Sequence, residues 1–375
     1  MSEASLPALL TAEGAILTDP GQVEEALTSL WKPPEGYGHT DSSEAATRIC
    51  AANLIIVADV AERTWISQQI GTLSPRYPAR TIVWLTETGP PSRSKKEGST
   101  RDASDSHDVR AWVFALCHVP QPGNPQVCSE QIVLHSPSGD TRRDMVQTIL
   151  PLLESDMPTM GWWRLPAETR PTWYRAMASL SDRLIVDAGL GGMARLKMVP
   201  GCAVREMGWY RTAHWRLWLA GLFDGESTAN LPRLAELHIR TGAGDAIQDA
   251  IWIAAFLAGQ LRWRPVRYDG GEWELSGTER NVRVRIIQDA DLEPGIDSVS
   301  LACDTRRFEI ARWAGARDAY RIAEHTGEFC HLPRTVEPPH PDAASILANA
   351  LTGRSTDTAF ERAAPIAAWI ASALS

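Results

Sequence analysis

RICAANLIIVAD, from Arg48 to Asp59, and RTIVWL, from Arg80 to Leu85, decide the fold class of this 375-residue chain. The first segment runs into LIIVA, a nearly continuous apolar stretch of the kind found in strands covered on both faces. Between the two segments, Ile66, Ile70 and Leu73 recur at helical spacing, so the region reads as a strand, a helix and a second buried strand. Such a β-α-β unit implies a parallel pair, because a parallel connection needs a crossover of this length.

Downstream, AWVFALCHV (Ala111 to Val119) and QVCSEQIVLH (Gln126 to His135) read as two strands joined by the turn-forming PQPGNP, most simply a hairpin. The polar, Ser-, Gly- and Pro-rich segment ahead of them, about residues 87–110, has no period and predicts a mobile surface loop. A helix from Asp140 to about Glu154, a strand PTMGWWRL, a helix opened by Pro171 and a strand RLIVD continue the alternation. Residues 1–200 are therefore expected to form an α/β sandwich domain with a mostly parallel sheet, with Pro200-Gly201 as the boundary.

Residues 201–375 read differently. One helix is expected from Glu206 to Phe223, with Trp209, Trp215, Trp218, Leu219 and Leu222 on a broad apolar face. LAELHIRT is strand-like, and Asp245 caps a helix to about Leu261. NVRVRIIQD, SVSLACD, RRFEIARWA and DAYRIAEHT follow as short strands, the first with apolar residues alternating with Arg. Two helices close the chain, so this half is expected to be an α+β domain: an antiparallel meander with helices on one face.

A formal net charge of -9 argues against a dedicated nucleic-acid binder or a polybasic membrane adaptor. The amino-terminal sequence lacks a basic region ahead of its apolar run, and AIWIAAFLAG (Ala250 to Gly259) is about half of what a bilayer span requires, so a cytoplasmic protein is expected. The six cysteines, Cys50, Cys117, Cys128, Cys202, Cys303 and Cys330, include no C-x-x-C pair and no zinc-ligand spacing, and as cytosolic thiols they read as buried small hydrophobes.

Motifs for catalysis are sparse. Gly189-Leu-Gly191-Gly-Met-Ala194 matches G-x-G-x-x-A, but too few residues follow before Pro200 for the phosphate-binding helix, and an inter-domain turn is the better reading. Thr241-Gly-Ala-Gly-Asp245 is explained locally by a capping Asp. The loop from His135 to Arg143 offers Ser136, Ser138, Gly139, Thr141, Arg142 and Arg143 at a helix start, where an anion could bind; Asp140 at the cap competes for the same N–H groups. No catalytic triad context or H-E-x-x-H is present. The outlier is tryptophan, 15 residues against 6 Phe and 6 Tyr. Trp, Tyr and Arg are the residues of interface hot spots, which makes Trp162, Trp163, Arg164, Arg211, Trp215 and Arg216 candidate partner contacts, although rings of this kind more often fill cores.

Seven segments together resemble the OpcA family, the glucose-6-phosphate dehydrogenase assembly proteins of cyanobacteria and actinobacteria. They are RICAANLIIV, RYPARTIVWL, QVCSEQIVL, ILPLLESDMPTMGWWR, SDRLIVDAG, HWRLWLAGLFD and LAGQLRWRP, spread from Arg48 to Pro265 in the family's order. The chain departs from the family's Asp-Leu-x-Trp run, having Glu206-Met-Gly-Trp209, and its Gly189 to Gly192 segment is not a family hallmark. The resemblance implies a non-enzymatic partner that favours the active oligomer of glucose-6-phosphate dehydrogenase, with no cofactor or metal of its own. In cyanobacteria the effect is linked to thioredoxin-dependent redox state. Cys128 lies inside the QVCSEQI block and Cys117 on the neighbouring predicted strand, so the two thiols could approach if those strands pair, although buried inert thiols are the better reading. The rival reading is a sugar-phosphate- or nucleotide-binding enzyme or sensor using residues 135–143.

Overall fold

The computed structural model describes residues 15–32, 46–87, 109–122, 124–136, 142–165, 171–187, 189–194, 199–244, 246–316, 318–330, 333–353 and 356–374. The chain divides into two compact units, the first comprising Met1–Asp187, Met198–Arg205 and Ala343–Gly353. In chain order its elements begin with β1 (Ile16–Thr18), α1 (Val23–Leu30), β2 (Thr47–Arg48), β3 (Asn53–Asp59), α2 (Arg63–Leu73) and β4 (Arg80–Thr86). They continue with β5 (Arg110–His118), β6 (Val127–Ser136), α3 (Arg142–Ile149), β7 (Thr159–Trp163), α4 (Pro171–Leu180), β8 (Arg183–Val186) and β9 (Ala203–Glu206). The anticipated loop over residues 87–110 lies almost entirely outside the described residues.

The sheet order is β1-β5-β6-β4-β3-β7-β8-β9, with β2 paired to β6. Strands β6, β4, β3, β7 and β8 run parallel, while β5 returns antiparallel to β6 as the expected hairpin. Leaving the hairpin strand β5 aside, the chain winds from β3 outward through β4 to β6, then crosses back to β7 and winds the other way. This is the order of a doubly wound dinucleotide fold, and its switch point lies between β3 and β7. Residues Leu54 to Ala58 are all buried, as a strand with helices on both faces must be.

The second unit comprises Ala188–Lys197, Glu206–Asp342 and Arg354–Ser375. It begins with α5 (Gly189–Met193), α6 (Met207–Arg211), α7 (Ala213–Leu222), β10 (Glu236–Thr241) and α8 (Ala246–Gln260). Strands β11 (Arg264–Asp269), β12 (Glu272–Ser276), β13 (Asn281–Gln288), β14 (Ile296–Cys303), β15 (Arg306–Arg312), β16 (Tyr320–Thr326), β17 (Phe329–Cys330) and β18 (Arg334–Val336) follow. The last two helices are α9 (Ala343–Thr352), which belongs to the first unit, and α10 (Thr358–Ser372) in the second.

The second sheet has the order β11-β12-β13-β10-β14-β15-β16-β17, with β18 paired to β16, and among the described residues its strand pairs are antiparallel except β10 with β13. Leu237, Ile239, Val282, Val284, Val299, Leu301, Phe308 and Ile310 point to one face and are buried. Helix α8 packs there against β10, β13 and β14 and is itself backed by α10. Being enclosed, α8 is apolar nearly all round, with Ala250 to Ala255 buried without a break.

Three local expectations change. The glycines of Gly189 to Gly192 form the short helix α5 rather than a turn, and α5 packs on α10. The single helix expected over 206–223 is two, because the Thr212 hydroxyl donates to the Gly208 and Trp209 carbonyls and the backbone leaves helical geometry there. The hairpin of β11 and β12 was not anticipated: every residue of β11 is exposed, although β12 alternates with Trp273 and Leu275 buried.

In the first unit α9 is fixed from below by a buried arginine. The Arg183 guanidinium donates to the carbonyls of Ala350 (2.8 Å), Leu351 (2.5 Å) and Gly353 (2.6 Å), satisfying the acceptors a helix end leaves open.

Two glycines separate the close approach from the open position. A Cβ at Gly242 would meet the Glu293 backbone, 2.7 Å from its carbonyl carbon, whereas a Cβ at Gly71 within α2 would meet nothing within 4 Å. Gly242→Ala is expected to destabilise the protein by about 1–3 kcal/mol and Gly71→Ala to stabilise it by about 0.5–1 kcal/mol, read from urea unfolding.

Candidate functional site

Doubly wound sheets bind ligands in the crevice beyond the carboxyl ends of the strands at the switch point. Here that place is filled by the protein itself. Arg164, immediately after β7, places its guanidinium 4.3 Å from the ring centre of Trp65 and 5.3 Å from that of Trp162. It donates to Glu62 at 2.6 Å and to Asp187 at 2.5 Å, so α2, β7 and the end of β8 meet on one planar cation. Burial pulls the Arg164 pKa down, but the bonds and charges of Glu62 and Asp187 outweigh it and leave it above its ordinary value.

The segment that would cradle a dinucleotide's pyrophosphate is Asp59-Val-Ala-Glu62, leading into α2. It has no glycine to bring backbone N–H groups close, and the Asp59 carboxylate already accepts from Ala61 N at 2.7 Å. Two carboxylates at a helix start repel phosphate. The residues present do not fit a dinucleotide at this crevice.

At the opposite ends of the strands sits a second charged cluster. The Arg80 side chain, 5% exposed, ion-pairs with Glu130 (2.7 Å), Glu24 (2.8 Å) and Glu154 (2.9 Å), and Arg48 shares Glu130 and Glu154. Trp31 Nε1 donates to Glu130, and Asn53 holds the chain at Glu154 through its amide. A cleft of about 380 Å³ opens over this group. Its charges already face each other, so a ligand would have to displace an internal ion pair.

The sequence-predicted contact residues are largely internal. Trp162 and Trp163 are wholly buried and Trp215 is 4% exposed, so in this conformation a partner cannot touch those rings. Adjacent strand residues do point to opposite faces, but both faces of β7 are covered, by Trp65 and by Tyr174. Indeed each of the fifteen tryptophans is buried or half-buried. Arg216 lies over the Trp209 ring at 3.8 Å and donates to the Trp209 carbonyl; burial lowers its pKa to about 10. Arg211 is tied to Asp249 at 2.7 Å.

The same helix pair nonetheless presents a surface. Trp209 is packed against Trp252, Phe256 and Phe360 and donates through Nε1 to Asp357 at 3.0 Å, fixing α6 to α8 and α10. A Cβ at Gly208 would lie 2.9 Å from the Trp252 ring, which accounts for glycine in the Glu206-Met-Gly-Trp209 run. On this base α7 turns Leu217 outward, 74% exposed, beside the exposed Ala220 and half-buried Trp218.

Cys117 and Cys128 face each other across the β5–β6 hairpin and are joined by a disulfide, with their Cα atoms 4.0 Å apart. Their reading as separate buried thiols therefore does not hold: a directly opposed antiparallel pair brings the two Cβ atoms within bonding reach. Cys117 is exposed and Cys128 buried. Of the candidate anion loop, Ser136 is buried at the end of β6, Arg142 and Arg143 begin α3, and Ser138, Gly139 and Thr141 lie outside the described residues. Among the described residues no group of three or more His, Cys, Asp or Glu could hold a metal ion, and no helix is long and apolar enough to cross a membrane.

Comparison with known proteins gives two family matches, both to domains described as parts of a glucose-6-phosphate dehydrogenase subunit. Residues 71–195 match its N-terminal domain, and residues 202–364 match its C-terminal domain. No curated protein sequence matches the chain. Among solved structures it is similar to a 3-ketoreductase from Actinomadura kijaniata in complex with NADP and TDP-benzene, at 12% identity over 84% of this chain and 94% of that one, TM-score 0.46. It is also similar to biliverdin reductase from Synechocystis sp. PCC 6803, at 8% identity over 86% and 99% of the two chains, TM-score 0.46.

Arg164 should be structural. Arg164→Ala leaves Glu62 and Asp187 without their cation and is expected to cost about 1–3 kcal/mol in urea unfolding, with Arg164→Lys recovering less than half because an ammonium cannot fork between two carboxylates.

Proposed function

Because the chain belongs to the OpcA family of glucose-6-phosphate dehydrogenase assembly proteins, we propose that it binds glucose-6-phosphate dehydrogenase and favours that enzyme's active oligomer by contact alone. The observation that carries this reading is the pair of family matches, which together run from residue 71 to residue 364. The closed switch-point crevice supports it, since the residues there suit an internal cation and not a nucleotide. On this reading the protein works in the cytoplasm as an allosteric activator and supports the oxidative pentose phosphate pathway. A partner that binds the active oligomer better than the inactive one shifts the population by no more than that difference in affinity.

The dehydrogenase is assigned to the α6–α7 surface, where Leu217 is an exposed apolar side chain on a base of packed aromatics. Of the two arginines expected from the sequence to touch the partner, Arg216 lies over the buried Trp209 ring and Arg211 is tied to Asp249. Co-purification with the dehydrogenase of the same organism, recording complex mass and dehydrogenase activity with and without this protein, is the test. A stable complex with raised activity is expected; no complex and unchanged activity would overturn the reading. Leu217→Glu should weaken the complex tenfold or more, about 1.4 kcal/mol, without moving the thermal unfolding of the free protein.

The disulfide gives this activator a redox-sensitive bond. An external thiolate, such as that of a thioredoxin, attacks the sulfur of Cys117, the exposed partner of the pair, forms a mixed disulfide there and releases Cys128 as the leaving thiolate. Trapping with a thioredoxin lacking its resolving cysteine should therefore label Cys117 and not Cys128, and dehydrogenase activation should differ between oxidised and reduced protein. Equal activation in both states would remove the redox role.

A further inference from the structure

The face of the second sheet opposite α8 carries no helix among the described residues, and across it Arg240, Arg283, Arg285, Arg307 and Arg321 are exposed. Its side chains fall into rows set by the strand register. Glu236 on β10, Ala302 on β14 and Arg307 on β15 stand in one row; His238, Ser300 and Glu309 stand in the next; Arg240, Ser298 and Ala311 in the third. The central strand β14 thus offers only Ser298, Ser300 and Ala302 outward in these rows, short side chains between flanks that carry charge.

We propose that this face is a self-association surface, on which a second copy of the chain packs sheet to sheet about a two-fold axis running along β14. The proposal goes beyond the dehydrogenase reading and does not rest on it. Rotation about that axis sets β10 of one copy against β15 of the other in the same rows. Glu236 then faces Arg307, and His238 faces Glu309, each pair occurring twice by symmetry. Arg307 has no ion-pair partner in its own chain among the described residues, and the only ion pair of Glu309 there is a distant one with His325 at 3.8 Å. Small residues on the axis let the two β14 strands approach, as face-to-face sheets require at about 10 Å.

The alternative axis, across the strands, pairs Glu236 with Arg240 but sets His325 against Arg321 and Arg283 against Ile287, so the pattern selects the axis along β14. Arg283, which meets His325 two strands out, is already neutralised by its ion pair with Glu236. The roughly 30° rotation usual between packed sheets displaces the near-axis pairs by only about 2–3 Å, within the reach of Arg and Glu. Five strands carry all three rows, and β12, β17 and β18 add parts of them, which together cover about 600 Å² on each copy, the lower end of a standard stable interface.

The test is the mass of the full-length protein alone, by sedimentation across a concentration series. A dimer is expected, with Arg307→Glu weakening it at least tenfold and Ser300→Arg, on the axis, doing the same. The charge swap Glu236→Arg with Arg307→Glu, combined with Arg283→Glu to keep the pair that Glu236 makes within its own chain, restores the facing pairs and should recover the dimer to within about threefold of the unmutated protein. Circular dichroism and thermal unfolding establish that each variant is folded. A monomer at about 100 μM, a dimer indifferent to both single substitutions, or loss of dehydrogenase binding by those variants without change in the protein's own mass would overturn the proposal.

Discussion

The Arg80 guanidinium, almost removed from water and held by Glu24, Glu130 and Glu154, couples α1, β4, β6 and the segment ahead of β7 in a way that apolar packing alone could not. A buried cation without its carboxylates costs several kcal/mol, so these four pieces of chain must arrive together. Burial works against the charge, yet the surrounding carboxylates hold the Arg80 pKa above its usual value. Arg183 under α9 and Arg164 beyond β7 repeat the device with carbonyls or carboxylates as acceptors. The planar, permanently charged fork suits all three places because it can address several acceptors at once.

This division of labour bears on function. A doubly wound sheet normally leaves its switch point for a ligand, and a glycine-lined helix start supplies the N–H groups. Here an arginine packed against a pair of touching indoles occupies the opening, and the helix start is acidic. The scaffold of a nucleotide-binding domain is retained while the geometry for a nucleotide is not. On the second unit, Leu217 and the arginines of the sheet face opposite α8 are exposed and open to a partner.

The fold class was legible because its signals were local: the doubly covered strands around Ile55 and Val83, the Pro-Gly turn of the hairpin, and the Val282–Val284–Ile286 alternation. The crossover from β6 back to β7 leaves no such mark, since strand order is set by contacts far apart in sequence. Edge strand β11 was missed because full exposure erases alternation, although Gly270 and Gly271, both with positive φ, are the two-residue turn that closes its hairpin. The site fared worse. Trp162, Trp163 and Arg164 were recognisable as important from their chemistry, but whether a Trp-Arg cluster faces a partner or seals a core depends on α2 and Trp65, about a hundred residues earlier. The Cys117 to Cys128 pairing lay between these cases, since it needed only the hairpin register.

The placement of the tryptophans has a spectroscopic side. Ten of the fifteen indoles are buried and the other five are half-buried, many within a few ångströms of another ring or of a guanidinium. Their combined emission is therefore set by the interior, blue-shifted and crowded by energy transfer between neighbours. Unfolding changes that emission strongly, while a molecule settling on the charged sheet face of the second unit has the half-buried Trp313, stacked under Arg321, within reach. Association at that face is therefore read as a small change, carried by Trp313, on a large emission that the interior holds constant.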